Sequence, residues 1–349
     1  MVLDEPTAVL TEAEADILLA SMRRLAGMGI AIIFITHRLQ EIMSVCDDIV
    51  ILRDGEVVLQ TTPAKTSIRE ITSSMVGRKV EGAGAEREET RAPGRPLMEI
   101  RHLWVDMPGE TVRDVNLTVH EGEILGIGGK LGIANGIMGL HAAGGEVVFD
   151  GRPIPLNKPT APLSAGISAV FEDRRGVGLL LEESIAWNII FTSLQIQDKF
   201  LKPVLGGVVK IRDEAAISAT AQQYIRDLEI KCTGEKQPVQ ELSGGNQQKV
   251  CLAKAFETHP KLLFVAEPTR GIDVGAKKVV LDTLKRYNRE FGMTIVMISS
   301  ELEELRSVCD RIAIVDKGRI VGIKPASEPS ETFGYLLLGT SEEEETVTA

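Results

Sequence analysis

Part of this chain is written twice, and that repeat constrains its fold more than any other feature. A stretch that opens at Val2 with VLDEPT returns from Phe264 as FVAEPT, and the likeness continues for more than fifty residues. Glu5-Pro6-Thr7 answers to Glu267-Pro268-Thr269 at an offset of 262, and Val45-Cys46-Asp47 to Val308-Cys309-Asp310 at an offset of 263. One residue is therefore inserted between the anchors. Two segments that agree in so many places, and in order, are one structural unit used twice.

Each copy reads as strand, helix, strand, helix, strand. Ile30 to Ile35 and Thr294 to Ile298 are short, β-branched apolar runs of the kind buried on both faces of a sheet. Helical patterns such as Glu12 to Leu25 and Val279 to Tyr287 separate such runs. That alternation calls for an α/β fold with a mainly parallel sheet and flanking helices.

Much more chain precedes the second copy than the first. Residues 78–96 are charged, rich in Gly and Pro and poor in large apolar side chains, which reads as a linker. The expected organisation is a first partial domain over 1–77, that linker, a second domain over 97–335 and an acidic tail over 336–349. With 349 residues there is room for two domains.

A formal net charge of −11 gives the chain no overall pull toward nucleic acid, so no nucleic-acid partner is expected. The four cysteines, Cys46, Cys232, Cys251 and Cys309, lie far apart with no C-x-x-C pair, and read as free thiols in a reducing compartment. No apolar run approaches the length of a membrane-spanning helix, and acidic residues stand at the N-terminus where a signal peptide needs basic ones. The expectation is a cytoplasmic protein, peripheral on the inner face of the cell membrane if it serves a membrane process.

The stretch Glu241 to Lys249, ELSGGNQQK, opens a helical pattern over Val250 to Glu257. A Gly-rich turn at a helix N-terminus can surround a phosphate with backbone N–H groups and the Ser243 hydroxyl. Equally, Ser243 could be a plain N-cap, with the glycines serving only the turn. Some twenty residues on, the apolar run Leu262 to Val265 leads into Ala266 and Glu267, which puts a carboxylate at the C-terminal edge of a parallel strand, where such sheets bind ligands.

The order LSGGNQQK, apolar strand, EPT and then Gly271-Ile272-Asp273 resembles the ATP-binding cassette (ABC) transporter ATPases. Within them, it is similar to the twin-cassette importers of ribose, galactose, xylose or nucleoside-like solutes, here N-terminally truncated. The resemblance implies a P-loop-NTPase-like fold with a partial first cassette and a near-complete second one, whose helical signature subdomain covers about 172–256. It also implies ATP and Mg²⁺, and it assigns roles residue by residue. Asp4 matches the Mg²⁺ ligand, Glu5 the carboxylate that polarises the attacking water, and His37 the switch histidine, which in isolation would read as a strand-end residue. Glu267 matches Glu5 in the second copy. Ser243, Gly244, Gly245 and Gln247 belong to the signature, Glu172 to the Q-loop and Asp273 to the D-loop. Ser184 to Ile190 would face a permease.

This sequence departs from the family pattern in several places. The phosphate-binding loop G-x-x-x-x-G-K-[ST] has only a short relative, Gly126 to Leu131, after the strand Glu123 to Ile127. Gly129 and Lys130 fit, but Ile124 holds the first glycine position and Leu131 the hydroxyl position. Lys130 is either a degenerate P-loop lysine or an ordinary surface lysine. Ala266 stands where the first copy has Asp4, and Ser300 where it has His37. The first copy starts within its metal-binding strand, so its own loop and signature would lie upstream of Met1.

The resemblance and these departures together imply an importer's ATP-binding subunit with weak ATP turnover of its own. Transmembrane permease subunits, an extracytoplasmic solute-binding protein or a second cassette chain would be its partners. The alternative is a non-catalytic interaction or regulatory cassette, or a truncated product with no ATPase activity.

Overall fold

The computed structural model describes residues 1–4, 6–7, 12–36, 39–53, 56–67, 70–71, 74, 94–108, 112–129, 132–204, 209–329, 332–333 and 336. The chain divides into two units, Met1–Glu88 with Gly271–Lys278, and Glu89–Arg270 with Val279–Ala349.

The first unit holds β1 (Val2–Asp4), α1 (Glu12–Gly27), β2 (Ile33–Ile35), α2 (Leu39–Val45), β3 (Ile49–Arg53) and β4 (Glu56–Thr61). Strands β1 and β2 pair in parallel, with Val2 opposite Ile33. Strands β3 and β4 form a separate antiparallel pair. A small core of Ile49, Ile51 and Ile71 packs with Leu39, Ile42 and Met43 of α2. The apolar run at 30–35 departs from expectation. Only Ile33–Ile35 is strand, and Ile33 and Ile35 are 61% and 48% exposed rather than covered on both faces. Among the described residues no further strand joins β2, so its second edge and one face stay open.

The second unit begins with β5 (Pro96–Asp106), β6 (Val112–His120), β7 (Ile124–Gly128), α3 (Ile133–Ile137), β8 (Ala142–Phe149) and β9 (Arg152–Pro153). It continues through α4 (Thr160–Ala165), β10 (Ile167–Val170), α5 (Ile185–Gln197), β11 (Leu201–Val204), β12 (Val209–Arg212), α6 (Glu214–Asp227) and α7 (Gly244–Glu257). The repeat comes next as β13 (Leu262–Ala266), α8 (Val274–Phe291, which starts in the segment grouped with the first unit), β14 (Thr294–Ser299), α9 (Leu302–Val308), β15 (Arg311–Asp316) and β16 (Arg319–Pro325).

Six strands run in the order β10-β13-β14-β7-β15-β16, the first five mutually parallel and β16 antiparallel. A second, antiparallel sheet has the order β6-β5-β8-β9. One hydrophobic cluster joins the two layers, with Leu97, Ile100 and Val119 on one side and Leu125, Ile127, Phe264, Val296 and Ile298 on the other. Burial on both faces explains why β7, β13 and β14 read as unbroken apolar runs. Gly126 and Gly128 let β7 lie flat in this sandwich. A Cβ at Gly126 would meet Cys309 Sγ at 3.0 Å, and one at Gly128 would meet Ile314 Cδ1 at 2.8 Å.

Helices α5, α6 and α7 pack together at one side of this unit. The Ser184 hydroxyl caps α5 by accepting the Trp187 N–H at 3.1 Å, and Asp213 caps α6 by accepting the Ala216 N–H at 3.2 Å. Two helices start earlier than their apolar spacing suggests. Helix α7 begins at Gly244 rather than Val250, and α8 spans Val274–Phe291 rather than Val279 to Tyr287.

The two copies of the repeat are built in the same register. Val2↔Ile33 and Asp4↔Ile35 in β1–β2 match Phe264↔Val296 and Ala266↔Ile298 in β13–β14. Ile49↔Thr61 matches Ile312↔Lys324, and both hairpins carry a bulge at the same place, between Ile51 and Leu52 and between Ile314 and Val315.

Candidate functional site

In the second unit, the C-terminal ends of β13 and β14 carry a cluster of polar side chains. Glu267 follows β13 directly, with a left-handed backbone (φ 45°), and is 8% exposed. One carboxylate oxygen accepts the Ser300 N–H at 2.8 Å, and its own N–H donates to the Ile298 carbonyl at 2.8 Å. Desolvation raises its pKa above the ordinary glutamate value, and the Ser300 hydrogen bonds only partly offset that.

Glu304, on α9, is buried next to it. Its carboxylate accepts from the Thr269 hydroxyl and, at 2.6 Å, from the Ser299 hydroxyl. Ser299 in turn accepts the Gly129 N–H on its carbonyl at 3.1 Å. The end of β7, the end of β14 and the Glu-Pro-Thr turn are thus tied together through Ser299 and Glu304.

The first unit repeats the arrangement. Thr7 donates to Glu41 at 2.8 Å, and Thr36 donates to the same Glu41 oxygen at 3.4 Å. Glu41 and Glu304 were not among the residues expected to matter. The repeat itself holds the signal that would have found them, because they occupy one repeat position 263 residues apart.

The signature stretch starts helix α7. Ser243 is exposed at the N-cap, and its hydroxyl makes no cap to the backbone but accepts from Asn246 Nδ2 at 2.9 Å. Gly244 and Gly245 open the first turn, half-exposed, leaving N–H groups at the positive end of the helix dipole. Gln247 is fully buried and used at both ends. Its amide donates to the Val239 carbonyl at 3.2 Å, and its oxygen accepts from Arg175 Nε at 3.3 Å. Glu172 forms an ion pair with Arg270, and Arg174 donates to the Arg270 carbonyl at 2.9 Å. Asp273 precedes α8, and its carboxylate accepts the Ala276 N–H at 2.8 Å as a helix cap does.

Asp4 is exposed at the end of β1. Glu5, His37 and Lys130 lie outside the described residues. Among the described residues no group of three His, Cys, Asp or Glu side chains could hold a metal ion. At the end of β13, Ala266 offers no side-chain ligand beside Glu267, one of whose oxygens accepts the Ser300 N–H. The Gly129 N–H is taken up by Ser299. Lys130 and Leu131, which end the short loop after β7, lie outside the described residues, so the described part of the second copy shows the Glu267 carboxylate and the Gly129 backbone at the strand ends but not the rest of a phosphate cradle. No helix among the described residues is long and apolar enough to cross a membrane.

Residues 112–270 match the family model for the ABC transporter domain. The chain is 37% identical over 338 residues to a ribose import ATP-binding protein of Rhizobium meliloti (strain 1021), covering 95% of this chain and 63% of that one. It is 38% identical over 344 residues to a xylose import ATP-binding protein of Moorella thermoacetica, covering 95% and 65%. The chain thus spans just under two thirds of the length of these curated relatives. Among solved structures, a nucleotide-free ATP-binding cassette from an ABC transporter superposes with a TM-score of 0.56 at 19% identity, covering 73% of this chain and 99% of that one. The cbiO1 protein of Clostridium perfringens, part of a cbiONQ ABC transporter complex, gives 0.52 at 20% identity, covering 70% and 92%. At such identities the likeness establishes the α/β ABC-ATPase fold.

Proposed function

This chain is closely related to the ATP-binding subunits of ABC sugar importers, and from that premise we propose that it serves as such a subunit, coupling ATP binding and hydrolysis to uptake of a simple sugar or nucleoside-like solute. The observation that carries the reading is the identity of 37–38% to ribose and xylose import proteins, running along 95% of this chain. Its partners are then a transmembrane permease and a solute-binding protein, and its place is the inner face of the membrane.

Within that reading, the two copies of the repeat belong to two cassettes, residues 1–77 to the first and 97–335 to the second, with 78–96 as the linker and 336–349 as the tail. The first supplies the metal ligand Asp4, the base Glu5 and the switch His37. The second supplies the signature, with Ser243, Gly244 and Gly245 facing nucleotide and Gln247 bracing the helix. Glu172, Glu267, Asp273 and Lys130 complete the set. Phosphoryl transfer of this class depends on a phosphate cradle for positioning and charge stabilisation. The short loop after β7, Ala266 in place of an aspartate and Ser300 in place of a histidine support a chain that turns over ATP weakly alone. They equally favour a second reading, in which the chain is a non-catalytic cassette whose signature serves another chain.

Titration of the full chain with MgATP tests this. Binding weaker than the micromolar range is expected. Micromolar affinity abolished by Lys130→Ala would overturn the impaired-site reading. Stimulation of a complete cassette's ATPase activity, lost with Ser243→Arg, would select the second reading. The importer reading fails if the chain neither co-purifies with sugar permease subunits nor supports uptake of labelled ribose or xylose.

A further inference from the structure

Helix α6 carries two stripes of different character. Ile217, Ala221 and Tyr224 recur at helical spacing and are buried, as a core stripe requires. The stripe beside it, Ala216, Thr220 and Gln223, is small or polar and lines a cavity of about 470 Å³. That volume is ordinary for small-molecule sites, which run from roughly 300 to 1,000 Å³. The cavity lies between the start of the β11–β12 hairpin, α6 and the C-terminal end of α7, all in the second unit.

Its frame is tied down on every side. Glu257 lines the cavity and is buried, and a buried carboxylate is costly unless it is paired. Lys199 Nζ supplies the pair, 3.2 Å from Glu257 Oε1, and also donates to the Glu257 carbonyl at 2.9 Å. Tyr224 stands beside the same carboxylate. Burial, with that neighbouring charge, raises its phenol, which stays protonated at neutral pH. An ionised carboxylate has about four acceptor sites, so Glu257 keeps capacity toward the cavity. Asp213 accepts from Lys202 Nζ at 2.8 Å and from the Ala216 N–H at 3.2 Å. Two lining residues, Phe200 and His259, hold left-handed backbones (φ 62° and 47°), which side chains adopt only at a cost. The Asp213 N–H donates to the Phe200 carbonyl at 2.8 Å, and Gln197 Nε2 to the Thr258 carbonyl at 2.7 Å, which holds both turns in place.

The lining selects a ligand class. An anion would meet the carboxylates of Glu257 and Asp213, and a cation would find both already paired with lysines. Hydroxyl groups suit the wall, because they donate to carboxylates and exchange hydrogen bonds with amide and hydroxyl side chains. Among the described residues no protein group hydrogen-bonds the side chains of Thr220, Gln223 or His259. Phe200 and Leu201 add an apolar wall. We propose that this cavity binds a neutral, hydroxyl-rich small molecule of monosaccharide size, its ring against Phe200 and its hydroxyls on Glu257, Thr220 and Gln223. The cavity lies at the opposite end of α7 from Ser243, and binding there requires neither nucleotide nor transport.

Isothermal titration of the full chain with ribose, xylose, myo-inositol and ribose 5-phosphate tests this, and amide hydrogen exchange at residues 199–202 and 216–224 locates the ligand. At least one neutral compound should bind and slow exchange at both segments. Ribose 5-phosphate should bind about tenfold or more weakly than ribose, because its charge faces two carboxylates. Thr220→Ala/Gln223→Ala should weaken binding of the neutral compound about tenfold or more, through the loss of two hydrogen bonds. Neither position belongs to the buried stripe of α6, so the variant keeps its fold, which circular dichroism checks. Gln222→Ala, outside the lining, should change nothing. The proposal is overturned if no neutral compound binds at millimolar concentration, if the phosphate binds more tightly, or if binding ignores the double substitution. Should the double variant unfold, exchange at the two segments of the unaltered chain decides the matter, and no slowing there overturns the assignment. Failure of MgATP binding or of sugar uptake leaves this outcome untouched.

Discussion

Two copies of one sequence unit sit in two different settings within this chain, and the contrast isolates what surroundings contribute to a fold. Both copies keep the same strand register, the same bulged hairpin and the same bonded trio, Thr7-Glu41-Thr36 in one and Thr269-Glu304-Ser299 in the other. Yet among the described residues β1 and β2 pair only with each other, their outer side chains exposed, while β13 and β14 lie inside a sheet of six strands. What local sequence specifies is pairing and hydrogen bonding over short separations. What it does not specify is how many layers close over the result.

The contrast is broken most directly by one substitution made at the same repeat position in both copies. Phe264→Ala removes a fully buried ring and should cost about 3–5 kcal/mol in urea unfolding. Val2→Ala, at its counterpart, should stay within about 0.5 kcal/mol. A comparable loss at Val2 would mean that the first unit's face is covered after all.

The trio offers the next test. Glu304→Ala leaves two buried hydroxyls without their charged acceptor and should cost roughly 3 kcal/mol. Glu41→Ala should cost about half of that, since its second hydrogen bond is long at 3.4 Å. Equal losses would show that the two clusters are equally tight.

Cys46 and Cys309 also share a repeat position. Burial raises both thiols above the ordinary value, Cys309 the more strongly because it is fully enclosed while Cys46 is half-buried. Iodoacetamide at mildly alkaline pH should alkylate Cys46 about tenfold or more faster than Cys309, read by mass spectrometry. Cys251, pushed up to about 12 by burial, should be as slow as Cys309.

The smallest effect is expected at Glu267. Its folded-state pKa lies above that of the unfolded chain, so the native state holds the proton more tightly. The stability this contributes is full below the ordinary value of 4.5 and is lost as pH rises through the raised one. At neutral pH the ionised carboxylate is therefore a cost. Glu267→Gln keeps an oxygen for the Ser300 N–H and should raise the urea midpoint modestly at neutral pH. The gain should vanish as pH falls below 4.5, and a gain independent of pH would refute a charge-based cause.

Much of the fold was legible in the chain itself. The repeat announced the strand–helix alternation, and the apolar runs at Leu262–Ala266 and Thr294–Ser299 became buried parallel strands as their composition required. The run at Ile30–Ile35 carries the same apolar signal but lacks the same cover, because burial on two faces needs partners that periodicity cannot count. In the candidate site, Ser243 and the two glycines could be read as a helix start, and they are one. Gln247 could not be read as a buried brace, since its bonds run to Val239 and Arg175, of which the second is 72 residues away.

The sequence by itself determined the unit that is repeated, its internal register and the residue types standing at each strand end, because these depend on neighbours within a few turns of chain. Only the tertiary structure showed that β7 inserts between β14 and β15 and that the antiparallel sheet packs over the second copy's apolar strands. It also decided that Glu304 ties three strand and turn ends together. Such outcomes depend on contacts between segments far apart in the chain, and a local pattern of apolar and polar residues carries no measure of them.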